Sequence, residues 1–224
     1  MSRRALGTLL AIVGVLLLAD VALAVTWREP VTALLASRDA GRLPAQLDAT
    51  TARLDHALAG HLDAAVAPRA RMAIAATTLA RSVVPGDALG TISIPKIDGR
   101  FTIVQGTAPT ELRGGPGHYL ATALPGQHGT VGLAGHRTTY LQPFRHIDQL
   151  RRGDQLVVQM PYGRFTYVVS RSQIIAPSQV SVLAASTGVE RLVLTACHPL
   201  FSAAQRLVVT ARLVAAVPQG AARG

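Results

Sequence analysis

Three textures follow one another along the 224 residues. From Ala5 to Trp27 the chain is apolar except for Asp20 and a few small residues. These 23 positions, at ~1.5 Å per helical residue, reach about the thickness of a bilayer core. From Arg28 to about Ser82 alanine dominates and glycine nearly vanishes, with Leu43, Leu47, Leu54, Leu58 and Leu62 at intervals of 4, 7, 4 and 4. That is helical periodicity. Beyond Val84-Pro85-Gly86-Asp87, β-branched residues gather in short runs punctuated by Gly, Pro and Asp, the texture of an all-β barrel. The runs predict strands at Leu89–Ile94, Phe101–Gln105, Thr130–Gly135, Gln155–Met160, Arg164–Ile175, Arg191–Cys197 and Leu207–Val214.

The first texture reads as a transmembrane helix. Arg3 and Arg4 precede it and, by the positive-inside rule, hold the N-terminus in the cytoplasm, leaving everything after Trp27 outside. A cleaved signal peptide is the alternative, because Ala22-Leu23-Ala24 supplies small residues at cleavage positions and Asp20 suits a polar flank. Either way the domain is exported. In the second texture Pro44 and Pro68 are expected to break or start helical pieces, giving one or two helices that act as a solvated stalk. The expected organisation is therefore a cytoplasmic tip and anchor over 1–27, a stalk over 28–85, a β-barrel over 86–214, and a disordered tail over 215–224.

Charge narrows the partners only a little. The net charge is +10, and Lys96 is the sole lysine among 22 basic residues. The arginines are scattered and aromatic residues are few, so no nucleic-acid partner is expected; a charged surface beside an anionic membrane accounts for the balance. Neither a glycine-rich phosphate loop nor Cys/His metal spacing occurs, so no cofactor is expected.

The chemistry concentrates at the ends of three runs. Cys197 is the only cysteine, so it has no intramolecular disulfide partner. It closes the run Arg191-Leu192-Val193-Leu194-Thr195-Ala196-Cys197, and His198-Pro199 follows, where the proline cannot continue a ladder. A core cysteine would fit anywhere in such a strand, whereas this one ends it, as a nucleophile delivered to a rim would. Thiolate, the reactive form, needs a positive neighbour, and His136 and Arg206 are the natural suppliers. His136 follows Ala134 and Gly135 and suits the general acid for a leaving amine and base for an incoming one. Arg206, which opens the last run, suits a hydrogen-bond donor to a substrate carbonyl or oxyanion. His198 is adjacent to the thiol but points to the other face if the strand continues.

Four blocks in order carry a family likeness: Gly115-Pro116-Gly117-His118-Tyr119; Gly132 to Tyr140 with Pro143-Phe144-Arg145-His146-Ile147-Asp148; Val193-Leu194-Thr195-Ala196-Cys197-His198-Pro199; and Ser202-Ala203-Ala204-Gln205-Arg206-Leu207. The pattern resembles the sortases, membrane-anchored cysteine transpeptidases of Gram-positive bacteria whose signature is a TLxTC strand with a distant histidine and a following arginine. The His-Arg-Thr-Thr-Tyr segment is most similar to the class E branch of actinobacteria.

The resemblance implies an eight-stranded sortase-type barrel, which places an eighth, short strand between Gly106 and Gly129. It implies Cys197, His136 and Arg206 as catalytic residues, with Tyr140, Thr195, Ala196, His118 and His198 around the substrate. Tyr140 would shape the sorting-signal pocket and His118 would support the site. It also implies attack between Thr and Gly of an LPxTG- or LAxTG-like signal, a thioacyl intermediate, and resolution by a peptidoglycan-precursor amine, at the plasma membrane with the catalytic domain extracellular.

Val193 and Ala196 stand where the signature has threonines, and a lost hydroxyl at Ala196 is expected to weaken a substrate or oxyanion contact. Between Pro177 and Arg191 the only acid is Glu190, too little oxygen chemistry for calcium, so metal-independent activity is expected. The competing readings are a thiol hydrolase, a pilin-polymerising sortase, and a non-catalytic, membrane-tethered wall-binding module.

Overall fold

The structure is a computed structural model that describes residues 3–26, 30–59, 62, 65–186 and 188–223. Three helices come first, α1 (Arg3–Thr26), α2 (Pro30–Leu58) and α3 (Pro68–Ser82). Eight strands follow: β1 (Ala88–Ile94), β2 (Gly99–Gln105), β3 (Gly117–His118), β4 (Thr130–Ala134), β5 (Gln155–Met160), β6 (Gly163–Ile175), β7 (Arg191–His198) and β8 (Gln205–Pro218). They close a barrel in the order β1-β2-β3-β4-β7-β8-β6-β5, with β5 returning to β1. The eighth strand falls inside the expected interval and is only two residues long, too short to register as a period-2 run.

Alternation along the strands fills the barrel. Leu192, Leu194 and Ala196 of β7 join Val131 and Leu133 of β4, Phe165, Tyr167 and Val169 of β6, and Leu207, Val209 and Ala211 of β8 in one buried cluster. Their odd-numbered neighbours on β7, Val193, Thr195 and Cys197, face outward by the same pleat.

The helical region is not a free spacer. Leu54 and Leu58 of α2 and Met72, Ala75, Ala76 and Leu79 of α3 are buried in the same cluster as the barrel interior, and Leu62 packs against it. Leu43 packs separately on Ala88 and Val104. This burial explains why Pro44 does not break α2, which runs through it: docking the leucines offsets the ladder hydrogen bond a proline forfeits. Pro68 opens α3 in its first turn, where the missing N–H is harmless.

The expected disordered tail over 215–224 is also corrected. β8 continues to Pro218 as a partner of β6, and a 3-10 turn follows at Gly220–Arg223, with Ala222 buried. Arg71 of α3 reaches the Ala222 carbonyl with Nε at 3.0 Å and the Arg223 carbonyl with Nη2 at 2.6 Å, tying the chain end down.

α1 forms over the expected span as a helix, while Trp27 and the side chains of Asp20 and Ala22 to Thr26 lie outside the described residues. Among the described residues no helix is long and apolar enough to cross a membrane. The large side chains Leu9, Ile12, Leu16 and Val21 of α1 are exposed.

Candidate active site

The site is assembled by one parallel strand pair and one antiparallel pair. β4 runs parallel to β7 with Ala134 opposite Thr195, and the Gly135 N–H donates to the Thr195 carbonyl at 3.0 Å. The segment that follows carries His136 to the end of β7, where the side chain of the next residue, Arg137, places Nη1 3.5 Å from the Cys197 carbonyl. On the other side β8 pairs antiparallel with β7, and Cys197 is directly opposite Arg206. His136, Cys197 and Arg206 thus occupy neighbouring positions at the ends of three adjacent strands. Cys197 is a free, half-buried thiol on the outward face.

His136 is held from two sides. Its carbonyl accepts from the Phe144 N–H at 3.0 Å, and its ring lies 5.0 Å from that of Tyr140 at 43°. Gly135 makes this possible, since a Cβ there would stand 2.5 Å from the Phe144 ring. Burial holds the His136 pKa below its ordinary value of 6.5, favouring a neutral imidazole near pH 7. Its Nε2 is buried and has no hydrogen-bond partner, an uncommon state for a buried polar atom. Tyr140 takes a left-handed φ of 56°, and the Arg113 guanidinium sits 6.0 Å from its ring centroid. An aromatic stack therefore walls the histidine.

Arg206 donates through Nη1 to the carbonyls of Ala203 and Gln205, both at 2.9 Å. Among the described residues it has no carboxylate partner, so a surface ion pair does not account for it.

The remaining expected site residues divide. Ala196 points into the barrel and is 4 % exposed, so a hydroxyl there would face the core rather than substrate, and the expected loss of a substrate contact does not arise. Thr195 shares the outward face of Cys197, but it is buried and bonds the Tyr119 hydroxyl at 2.9 Å; it braces the groove. His118, one strand beyond β4, is buried; its Nε2 meets the Ala123 carbonyl at 3.0 Å and its Nδ1 meets the Gln105 side chain at 2.8 Å. Burial lowers its pKa, with the Ala123 carbonyl opposing. Gln105 Oε1 accepts from Nδ1, and Nε2 also lies 3.1 Å from the Thr122 hydroxyl. His198 points away from the thiol, as the pleat requires, and its Nδ1 faces Arg137 Nη1 at 3.4 Å.

A groove of about 610 Å³ is lined by Tyr119, Leu120, Thr122, Val180, Leu183 and Ala184 among others, and its Tyr119 bonds Thr195 of β7. Gly132 of β4 lets the walls approach, since a Cβ there would meet Leu183 at 2.9 Å and Tyr119 at 3.0 Å. Arg191 holds one wall, donating to the Ala184 carbonyl at 2.9 Å and to Thr130 Oγ1 at 2.9 Å, while Thr130 donates to the same carbonyl at 2.7 Å. Arg191, Thr130, Tyr119 and Arg137 were not singled out by sequence reasoning, although Tyr119 and Arg137 lie inside blocks that carry the family likeness.

A family profile described as a sortase domain matches residues 92–214, more than half of the chain. The chain belongs to the sortase family. Members of this family are cysteine transpeptidases. Over 114 residues it is 38% identical to Sortase D of Bacillus subtilis (strain 168), covering 51% of this chain and 56% of that protein. Over 150 residues it is 36% identical to Sortase SrtE1 of Streptomyces coelicolor, covering 60% of this chain and 43% of that protein. The matches therefore span about half the length of these two relatives. The crystal structure of sortase E1 from Streptomyces coelicolor with a tripeptide in the active site matches this fold with a TM-score of 0.56, at 32% identity, over 61% of this chain and 94% of that one. The eight-stranded closed barrel matches that of this sortase structure.

Proposed function

We propose that this sortase is a class E-like transpeptidase that cleaves an LPxTG- or LAxTG-like sorting signal between Thr and Gly and joins the secreted protein to a cell-wall amine. The observation that carries the reading is the juxtaposition of His136, Cys197 and Arg206 at three neighbouring strand ends, with the thiol outward. The groove lined by Tyr119, Leu120, Val180 and Leu183 supports this reading as a seat for the signal, because its Tyr119 hydroxyl bonds Thr195, two residues before Cys197.

The steps follow from the residues. Cys197 Sγ loses its proton to the unpartnered Nε2 of His136 and attacks the threonine carbonyl carbon, forming the S–C bond and a tetrahedral oxyanion that Arg206 stabilises. Collapse breaks the C–N bond; the imidazolium gives its proton to the departing glycine amine, leaving a thioester. The incoming amine attacks that carbonyl, its proton passes to His136, and expulsion of Cys197 Sγ restores the thiol as the proton returns. Tyr140 and the burial behind it keep His136 poorly solvated, so its proton is held for the reacting groups.

The partners in this reading are secreted proteins carrying the signal, the peptidoglycan-precursor amine and the plasma membrane, to which α1 holds the chain with the domain outside. The exposed apolar side chains of α1 and the arginines Arg3 and Arg4 at its start support that placement.

The test uses the full chain in detergent micelles with quenched LAxTG and LPxTG peptides and an oligoglycine amine, products followed by mass. A ligated product that disappears in Cys197→Ala is expected. Cysteine-dependent cleavage without ligation to any amine would replace the reading with a thiol hydrolase. Preference for a lysine-bearing protein would replace it with a pilin polymerase, and no cysteine-dependent reaction with a wall-binding module.

A further inference from the structure

Past the Gly135 N–H to Thr195 bond, the segment that carries His136 leaves the β4–β7 ladder. The two reacting side chains therefore lie just beyond the backbone bonds that would keep their strands in register. Arg137 spans that gap. Its side chain is 3% exposed, and its Nη1 lies 3.5 Å from the Cys197 carbonyl and 3.4 Å from His198 Nδ1. Nε and Nη2 both donate to the Arg145 carbonyl, at 3.3 and 3.2 Å, and Nη2 pairs with Asp148 Oδ1 at 3.1 Å. The segment it grips is itself anchored, because Phe144 and Ile147 are fully buried in the barrel core.

A buried guanidinium needs this many acceptors to compensate for leaving water, and its planar fork fixes them relative to one another. Here the acceptors belong to three parts of the site: the nucleophile's own peptide unit, the histidine that follows it, and the turn that supports Tyr140 and His136. We propose that Arg137 is the positioning residue of the Cys197–His136 pair, replacing with side-chain hydrogen bonds the ladder that ends at Gly135. The proposal rests on Cys197 and His136 being the reacting groups. Asp148, 51% exposed, orients the guanidinium from the solvent side.

The test compares Arg137→Lys, Arg137→Met and Asp148→Asn with the full chain, measuring kcat and KM for ligation, the iodoacetamide alkylation rate of Cys197, and thermal unfolding. Misplacement of reacting groups by about 1 Å costs on the order of 100-fold. The expected result is therefore a kcat lower by about 100-fold for Arg137→Met and about 10-fold for Arg137→Lys, which keeps charge without the fork. Asp148→Asn is expected to show a smaller fall. The peptide KM stays within about 2-fold, because the groove is untouched, and alkylation slows in the same order. Wild-type kcat in Arg137→Lys and Asp148→Asn would overturn the proposal, as would a loss of kcat that only follows the fraction unfolded. If the unmodified chain ligates no peptide, the transpeptidase reading fails, while alkylation across the same variants still decides whether Arg137 positions the thiol.

Discussion

The two ends of β7 handle buried polar groups in opposite ways. At its start Glu190, 4% exposed, has both carboxylate oxygens occupied: Tyr167 donates its hydroxyl to Oε1 at 2.6 Å, and Gly126 N–H donates to Oε2 at 3.0 Å, with the His128 backbone adding another bond. At its finish His136 Nε2 is equally enclosed and has no partner. The first end is a closed network that joins β6, β7 and the loop before β4. The second leaves one buried ring nitrogen without a hydrogen-bond partner, near the strand end that carries the free thiol. A satisfied buried network holds a fold together, whereas an unsatisfied group persists only where something else uses it.

Removing the thiol is the sharpest way to break this comparison. Cys197→Ala is expected to lower ligation by more than about 1000-fold while leaving the melting temperature within about 2 °C, because a half-buried side chain on the outward face contributes little to the core. Ligation assays and melting of the same preparation check both halves.

Glu190→Ala should behave in the reverse manner. It strands the Tyr167 hydroxyl and the Gly126 N–H, so urea unfolding should show a loss of about 2–3 kcal/mol, with kcat below the transition within about 3-fold of the parent. Its pH dependence has a defined sign. Burial raises the Glu190 pKa, opposed by its hydrogen bonds. The folded state thus binds the proton more tightly than the unfolded chain, and the contribution is greatest below about pH 4.3, the unfolded value, and fades as pH rises through the folded value. Glu190→Gln should flatten that slope. A slope unchanged in Glu190→Gln would remove Glu190 from the account of stability.

Arg191, the first residue of β7, tests whether the groove wall is separable from the chemistry. Arg191→Met removes the donors to Thr130 Oγ1 and the Ala184 carbonyl, and the peptide KM should rise about 5- to 10-fold with kcat nearly constant. A fall in kcat alone would place Arg191 with the reacting groups instead.

The smallest expected effect concerns the His136 environment. In a Cys197→Ala background, NMR titration of the His136 ring should give a pKa below 6.5, because burial penalises the imidazolium. Tyr140→Ala removes part of that cover and should move the value upward toward 6.5. A downward shift would mean that the Tyr140 ring stabilises the cation rather than excluding water.

Much of this arrangement was legible beforehand, and the failures have physical causes. The short β-branched runs placed β5 at Gln155–Met160 and the others within a few residues. Two-residue β3 carries too little pattern to see. Pro44 suggested a break that docking overrode, and the small residues after Val214 suggested a tail because their order depends on Arg71, more than a hundred positions away in the chain. Ala196 suggested a lost substrate contact because the pentapeptide alone does not say which face is the interior.

The sequence by itself determined the barrel class, the order of its strand runs and the three side chains that the proposed chemistry uses, since short apolar runs, a single cysteine and strand-end placement are local properties. The tertiary structure decided that α2 and α3 are part of the core, that Thr195 and His118 brace rather than bind, and that Arg137 joins the strands where their ladder ends. Several of those features depend on partners far apart in the chain, as between Thr195 and Tyr119 or Arg137 and Cys197, and such pairings exist only once the sheet has closed.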